Sequence, residues 1–124
     1  MCIAVVDDEA PVRTMLGRLL RLADYEVASF ACGDEFIASL PTRRPDCIIL
    51  DVHMPGLSGF DVQSRISAAG IDIPVVFITA SDDLALDAKV RQAGGVKLLR
   101  KPFSNDALLE AVGTALQGKP SGTP

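Results

Sequence analysis

Five times over, the chain alternates a short apolar run with a segment of helical spacing, and few folds accommodate that pattern. Short hydrophobic runs bounded by turn residues read as strands, and a run that is apolar throughout reads as one buried on both faces. The runs occupy residues 2–6, 26–30, 47–51, 73–78 and 96–100. After the first, Val12, Met15, Leu16, Leu19, Leu20 and Ala23 recur at the spacing of a helix face, with Pro11 suited to its first turn. Phe36, Ile37 and Leu40 mark a second helix closed by Pro41, and Ser58 can cap a third that turns Val62, Ile66 and Ala69 to one side and leaves at Gly70. Asp82 and Asp83 can cap a fourth, running to about Ala93 and ended by Gly94-Gly95. Ser104 or Asn105 caps a last helix with Leu108, Leu109, Val112 and Leu116 inward.

Strict alternation of this kind implies a parallel sheet with helices on both faces. With 124 residues there is room for one such domain and one core. Strand polarity orders the sheet. The first, third and fourth runs are apolar throughout and belong at its centre, whereas the second carries Glu26 and Ser29 and the fifth Lys97 and Arg100, which suits edges. Right-handed crossovers then favour a flavodoxin-like, doubly wound five-stranded α/β sheet of order 2-1-3-4-5. The domain is expected over residues 1–117, and residues 118–124, rich in Gly, Pro and Ser, have linker composition.

In such a sheet every strand ends at the same edge, and ligands bind there, outside the switch point between strands one and three. Asp7, Asp8, Asp51, Thr79 and Lys101 therefore converge although they are scattered in sequence. Three carboxylates within a few Å repel one another unless a cation or protons intervene, and hard oxygen ligands select Mg²⁺, or Mn²⁺ in its place. Asp7 and Asp8 read as the holders of the metal. Asp51, at the centre of the crevice, reads as a nucleophile, because a carboxylate can form an acyl phosphate. A transferring phosphoryl group spreads charge over three oxygens, and Lys101, Thr79 and the metal can each take one. Taken singly, an Asp pair is as often a turn or a helix cap, and a Thr at a strand end is an ordinary β-former. Those readings do not require the residues to fall at the ends of the correct strands.

The same residues resemble the receiver domain of two-component response regulators. Val6-Asp7-Asp8-Glu9, Leu50-Asp51-Val52-His53-Met54-Pro55 with Gly59, Ile78-Thr79-Ala80 and Lys101-Pro102-Phe103 match its motifs at the expected separations, over about residues 2–117. The resemblance implies that Asp51 accepts a phosphoryl group from a sensor histidine kinase, and that Asp8 and Asp51 ligate Mg²⁺ while Asp7 acts through water and the His53 backbone carbonyl completes the shell. It also implies that Thr79 follows the phosphoryl group, that Lys101 pairs with it, and that Lys101-Pro102 is a cis peptide. Output would pass through the fourth helix, fifth strand and fifth helix to an attached domain or partner, with room for a phosphorylation-dependent homodimer. The stretches 101–105 and 56–59 look most like the subgroup whose receiver precedes a helix-turn-helix output domain, which makes transcription the expected process. One departure stands out: the family places Tyr or Phe three residues before its lysine as a rotamer switch, and Leu98 occupies that position.

Other functions fit less well. A hydrolase with an aspartyl-phosphate intermediate expects a second acid where His53 stands and a cap domain the chain has no length for. A nucleotide-binding module would need a Gly-rich turn after the first strand, and Asp7-Asp8-Glu9 has the wrong charge for a phosphate cradle. A receiver degenerated into a docking surface would not need all five site residues. The net charge of -4 gives no electrostatic case for nucleic-acid or lipid binding, and Arg43-Arg44 reads as a solvated loop. Cys2, Cys32 and Cys47 lack C-x-x-C spacing and read as small core residues of a reducing compartment. No apolar run approaches the roughly 18 residues of a membrane span and no leader precedes Cys2, so a cytoplasmic location is expected.

Overall fold

The computed structural model describes residues 1–117, so the linker expected at 118–124 lies outside the described residues. Five strands and five helices alternate: β1 (Cys2–Val6), α1 (Ala10–Leu22), β2 (Glu26–Phe30), α2 (Gly33–Ser39), β3 (Cys47–Asp51), α3 (Gly59–Ala68), β4 (Val75–Thr79), α4 (Ala85–Gln92), β5 (Lys97–Arg100) and α5 (Asn105–Gln117). All neighbouring strands pair in parallel, in the order β2-β1-β3-β4-β5. That is the order that the strand polarities and right-handed crossovers together imply. Every residue of β1, β3 and β4 is buried, whereas Glu26 and Ser29 on β2 and Lys97 on β5 are exposed at the two edges.

Alternation along the strands divides the core into two layers. Ala4 and Val6, Ile48 and Leu50, and Val75 and Phe77 pack with Phe36, Val62, Ile66, Leu86 and Val90 from α2, α3 and α4. Ile3 and Val5, Cys47 and Ile49, and Val76 and Ile78 pack with Leu16, Leu20, Leu108 and Val112 from α1 and α5. Each central strand thus anchors both helix layers, which leaves its carboxyl-terminal residue little freedom. No helix among the described residues is long and apolar enough to cross a membrane.

Several boundaries differ from the sequence expectation for local reasons. β4 begins at Val75, because Pro74 has no N–H for the ladder, although its carbonyl accepts from the Ile48 N–H at 3.0 Å. β5 begins at Lys97, with Val96 just outside it. The fourth helix starts at Ala85, since residues 81–83 are taken up in side-chain-bonded turns; Asp83 still accepts from the Ala85 N–H at 3.0 Å, and Asp82 takes no such part. Met15 and Ala69, expected inward, are exposed: Met15 lies at the margin of the α1 stripe, and Ala69 is the C-cap of α3. Leu109 and Leu116 are only half-buried, and the smaller Ala111 and Ala115 fill the α5 interface instead. Other termini agree with expectation. Ser58 and Asp61 form a reciprocal capping box on α3, Ser104 accepts from the Ala107 N–H at 3.0 Å at the start of α5, and Gly70 and Gly94 leave their helices with φ of +76° and +78°. Cys2 and Cys47 are buried, Cys32 is half-buried, and all three are free thiols. Arg43 pairs with Glu26 on the surface.

Candidate functional site

β1 and β3 lie side by side at the centre of the sheet, with Val6 paired to Leu50, so the residues that follow emerge together at its carboxyl edge. There Asp7, Asp8 and Asp51 each present a carboxylate oxygen, and the three atoms lie within 4.8 Å of one another. Asp7 is fully buried, Asp51 is 4% exposed, and Asp8 faces solvent. Thr79 ends β4, also fully buried, one residue beyond the Asp51–Ile78 pair. Lys101 follows β5, and its N–H donates to the Thr79 carbonyl at 2.7 Å, which registers the two strand ends. Lys101-Pro102 is a cis peptide.

The Lys101 ammonium reaches across three strands. Its Nζ lies 3.0 Å from Asp7 Oδ2, 3.2 Å from Glu9 Oε1 and 3.8 Å from Asp51 Oδ2. Burial alone would lower its pKa, but the hydrogen bond to Asp7 and the charges of Asp51 and Asp7 outweigh that and raise it. Asp51 is pushed up to about 7, first by desolvation and then by the Asp7 charge; Lys101 and the His53 backbone N–H pull it down, without prevailing, and Asp8 adds to the rise. One ammonium thus faces three carboxylates, those of Asp7, Glu9 and Asp51, and Asp8 adds a fourth at the same edge. That deficit of positive charge, on a donor set made only of hard oxygens, fits a small divalent cation such as Mg²⁺.

The backbone behind Asp51 is fixed from two sides. The Val52 N–H donates to the Ile78 carbonyl at 2.9 Å, and the Gly59 N–H donates to the Val52 carbonyl at 2.9 Å. A Cβ on Gly59 would stand 2.4 Å from the Asp51 carbonyl oxygen, so only a glycine lets the start of α3 approach this closely.

All five strand-end residues expected at the site are therefore brought to one edge. The His53 side chain is exposed, and its backbone N–H is directed at the Asp51 carboxylate. The Thr79 hydroxyl oxygen accepts from the Ser81 N–H at 3.1 Å. Two participants escaped the sequence reading. Glu9 completes the Lys101 cage, and its N–H donates to Asp7 Oδ1 at 2.8 Å. Arg13 donates from Nη1 to the Asp7 carbonyl at 2.7 Å. Glu9 could have been found, since it adjoins the Asp pair; Arg13 follows only from where α1 starts.

Known proteins resemble the chain in sequence and fold. Residues 3–113 match the family model described as the response regulator receiver domain. Nodulation protein W of Bradyrhizobium diazoefficiens is 36% identical over 113 residues, which are 91% of this chain and 50% of that protein. Response regulator protein TmoT of Ectopseudomonas mendocina is 36% identical over 118 residues, 95% of this chain and 54% of that protein. The chain thus spans about half the length of these curated relatives. Among solved structures, a response regulator receiver protein from Burkholderia phymatum superposes with a TM-score of 0.84 at 42% identity, covering 94% of each chain. The structure of FixJ-N gives a TM-score of 0.87 at 29% identity, again over 94% of each. With the fold, the acidic edge and a family match over nearly its whole described length in agreement, the chain belongs to the response regulator receiver domain family.

Proposed function

We propose that Asp51 is the phosphoacceptor of a signalling switch. The observation that carries this reading is the position of its carboxylate: nearly buried at the centre of the carboxyl edge, beside the Asp7-Asp8 pair and 3.8 Å from the Lys101 ammonium. In the proposed reaction an Asp51 oxygen attacks the phosphorus of a phosphohistidine on a sensor histidine kinase. The new O–P bond forms as the P–N bond breaks, and the departing imidazole nitrogen keeps the electron pair and takes up a proton. Lys101, whose ammonium already lies 3.8 Å from Asp51, receives one phosphoryl oxygen, and the Thr79 hydroxyl turns to receive a second, so the charge is shared between a cation and a hydrogen-bond donor. The domain thereby acts on itself, catalysing its own phosphorylation and, with water as acceptor, its dephosphorylation.

Asp8 and Asp51 would hold Mg²⁺ directly, Asp7 through water, and the His53 carbonyl would complete the protein's share; Mn²⁺ would substitute. When bound, the cation supplies neutralising charge to the phosphoryl oxygens. The added phosphoryl charge then biases a two-state domain, with output through α4, β5 and α5 to an attached domain or partner, and with phosphorylation-dependent pairing of two copies as one mode. Relatives such as transcriptional regulatory protein FixJ of Bradyrhizobium diazoefficiens, 33% identical over 115 residues, support a transcriptional output beyond the receiver, and a receiver of that kind would act in the cytoplasm.

Intact-mass measurement after incubation with acetyl phosphate and Mg²⁺ tests the reading. The expected result is a labile gain of one phosphoryl group that is absent without the cation and absent in Asp51→Asn. A gain that survives Asp51→Asn would place the chemistry elsewhere.

A further inference from the structure

The loop after Thr79 is held by a directional series of hydrogen bonds. The Thr79 hydroxyl oxygen accepts from the Ser81 N–H at 3.1 Å, the Ser81 hydroxyl from the Asp83 N–H at 3.1 Å, and the Asp83 carboxylate from the Ala85 N–H at 3.0 Å. At the far end of this series stands Arg100. Its Nη2 donates to the Asp83 carbonyl at 2.8 Å and to Asp87 Oδ2 at 3.0 Å, with Nη1 3.5 Å from Asp87 Oδ1. Asp87 lies in the first turn of α4, and Arg100 is the β5 residue registered against Thr79. One guanidinium therefore grips both the end of the loop and the start of the helix, from a backbone position tied to Thr79 itself.

Leu98, two residues earlier on β5, cannot serve in its place. Leu98 is half-buried against the layer that includes Phe77 and Val90, and it has no ring to swing between buried and exposed positions. An exposed ion pair by itself contributes little. The value of Arg100 lies in its planar fork, which holds a carbonyl and both oxygens of a carboxylate in one fixed geometry, whereas an ammonium has donors but no fixed plane. Between the gripped residues lies Leu84, 81% exposed, so any shift of this segment moves an apolar side chain on the α4 surface.

We propose that Arg100 is the positioning residue that couples Thr79 to α4, a route that does not need an aromatic residue at position 98. The proposal rests on the Asp51 reading, since the phosphoryl group is what draws Thr79 aside. When the Thr79 hydroxyl turns to that group, its oxygen leaves the Ser81 N–H. The turns at 81–83 lose their anchor, the Asp83 carbonyl shifts, and the hold on α4 loosens.

Hydrogen exchange of the amides of residues 81–92, read with intact mass before and after acetyl phosphate and Mg²⁺, tests the coupling. In the unsubstituted chain, phosphorylation should speed exchange there by roughly three- to tenfold. Arg100→Gln and the surface variant Asp87→Asn, which poses no threat to folding, should show much of that rise before phosphorylation. Phosphorylation should then add less than half of the original change. Arg100→Lys, which keeps the charge and loses the fork, should fall between. A full rise in both Arg100→Gln and Asp87→Asn, with the mass gain present, would overturn the role of Arg100. A missing mass gain in the unsubstituted chain would instead overturn the Asp51 reading and the coupling with it.

Discussion

Asp51 illustrates how a single residue can work against the fold that holds it. Its carboxylate is buried beside Asp7, and both desolvation and the Asp7 charge disfavour ionisation, which raises its pKa to about 7. A carboxyl group whose folded value lies above its unfolded value, near 4, costs stability when charged. The cost is absent at pH 4, grows as the pH rises toward 7, and is complete above that. Asp51→Asn removes the charge at nearly constant shape. In EDTA, the variant should match the unsubstituted chain in thermal stability at pH 4 and exceed it by roughly 1–3 kcal/mol at pH 8. A difference that stays flat from pH 4 to 8, followed by thermal denaturation, would show that ionisation of Asp51 is not its source. At this scale the sequence was informative where a side chain ends a strand, because strand ends of a parallel sheet meet by topology. Glu9 and Arg13 sit in the entry to α1, and their approach to Lys101 and Asp7 depends on the helix's exact starting point.

Elements turn on their termini, and the two helices flanking the site were not equally legible. α3 is announced by Ser58, and the structure adds Asp61, three residues on, whose carboxylate accepts from the Ser58 N–H to complete a capping box. α4 is preceded by Ser81, Asp82 and Asp83, any of which could cap; the loop uses two of them in consecutive turns, so the helix starts later than composition suggests. The start of α3 also sets the position of Asp51, through Gly59. Gly59→Ala would press a methyl group against the Asp51 carbonyl at 2.4 Å, an atom that cannot yield without carrying the nucleophile with it. Gly33→Ala makes an equally short contact, 2.4 Å, with a side-chain methyl of Val62, away from the site. Both variants should lose stability, by about 1–3 kcal/mol. Only Gly59→Ala should also lose, by at least about tenfold, the rate of phosphorylation by acetyl phosphate per folded molecule. Equal rates in the two variants would make Gly59 a packing residue and nothing more.

At the level of the whole molecule, strand polarity and right-handed crossovers together were enough to order the sheet, because a parallel sheet buries its central strands on both faces and leaves polar strands its edges. The same ordering concentrates negative charge. A chain of net charge -4 places three carboxylates within 4.8 Å at one edge, offset by one lysine, so the folded state offers a cation site that the unfolded chain, with those groups dispersed, does not. Whatever binds only the folded state stabilises it by mass action. At pH 8, raising Mg²⁺ from zero to roughly ten times its dissociation constant should add about 1.4 kcal/mol, a rise in melting temperature of roughly 3–6 °C. The effect should shrink as the pH falls below 7, because a proton on Asp51 competes with the metal there, and it should be weaker in Asp8→Asn at every pH. Melting temperatures that are the same in Mg²⁺ and in EDTA at pH 8 would mean that the acidic edge tolerates its own repulsion without a cation, and that Lys101 alone balances it.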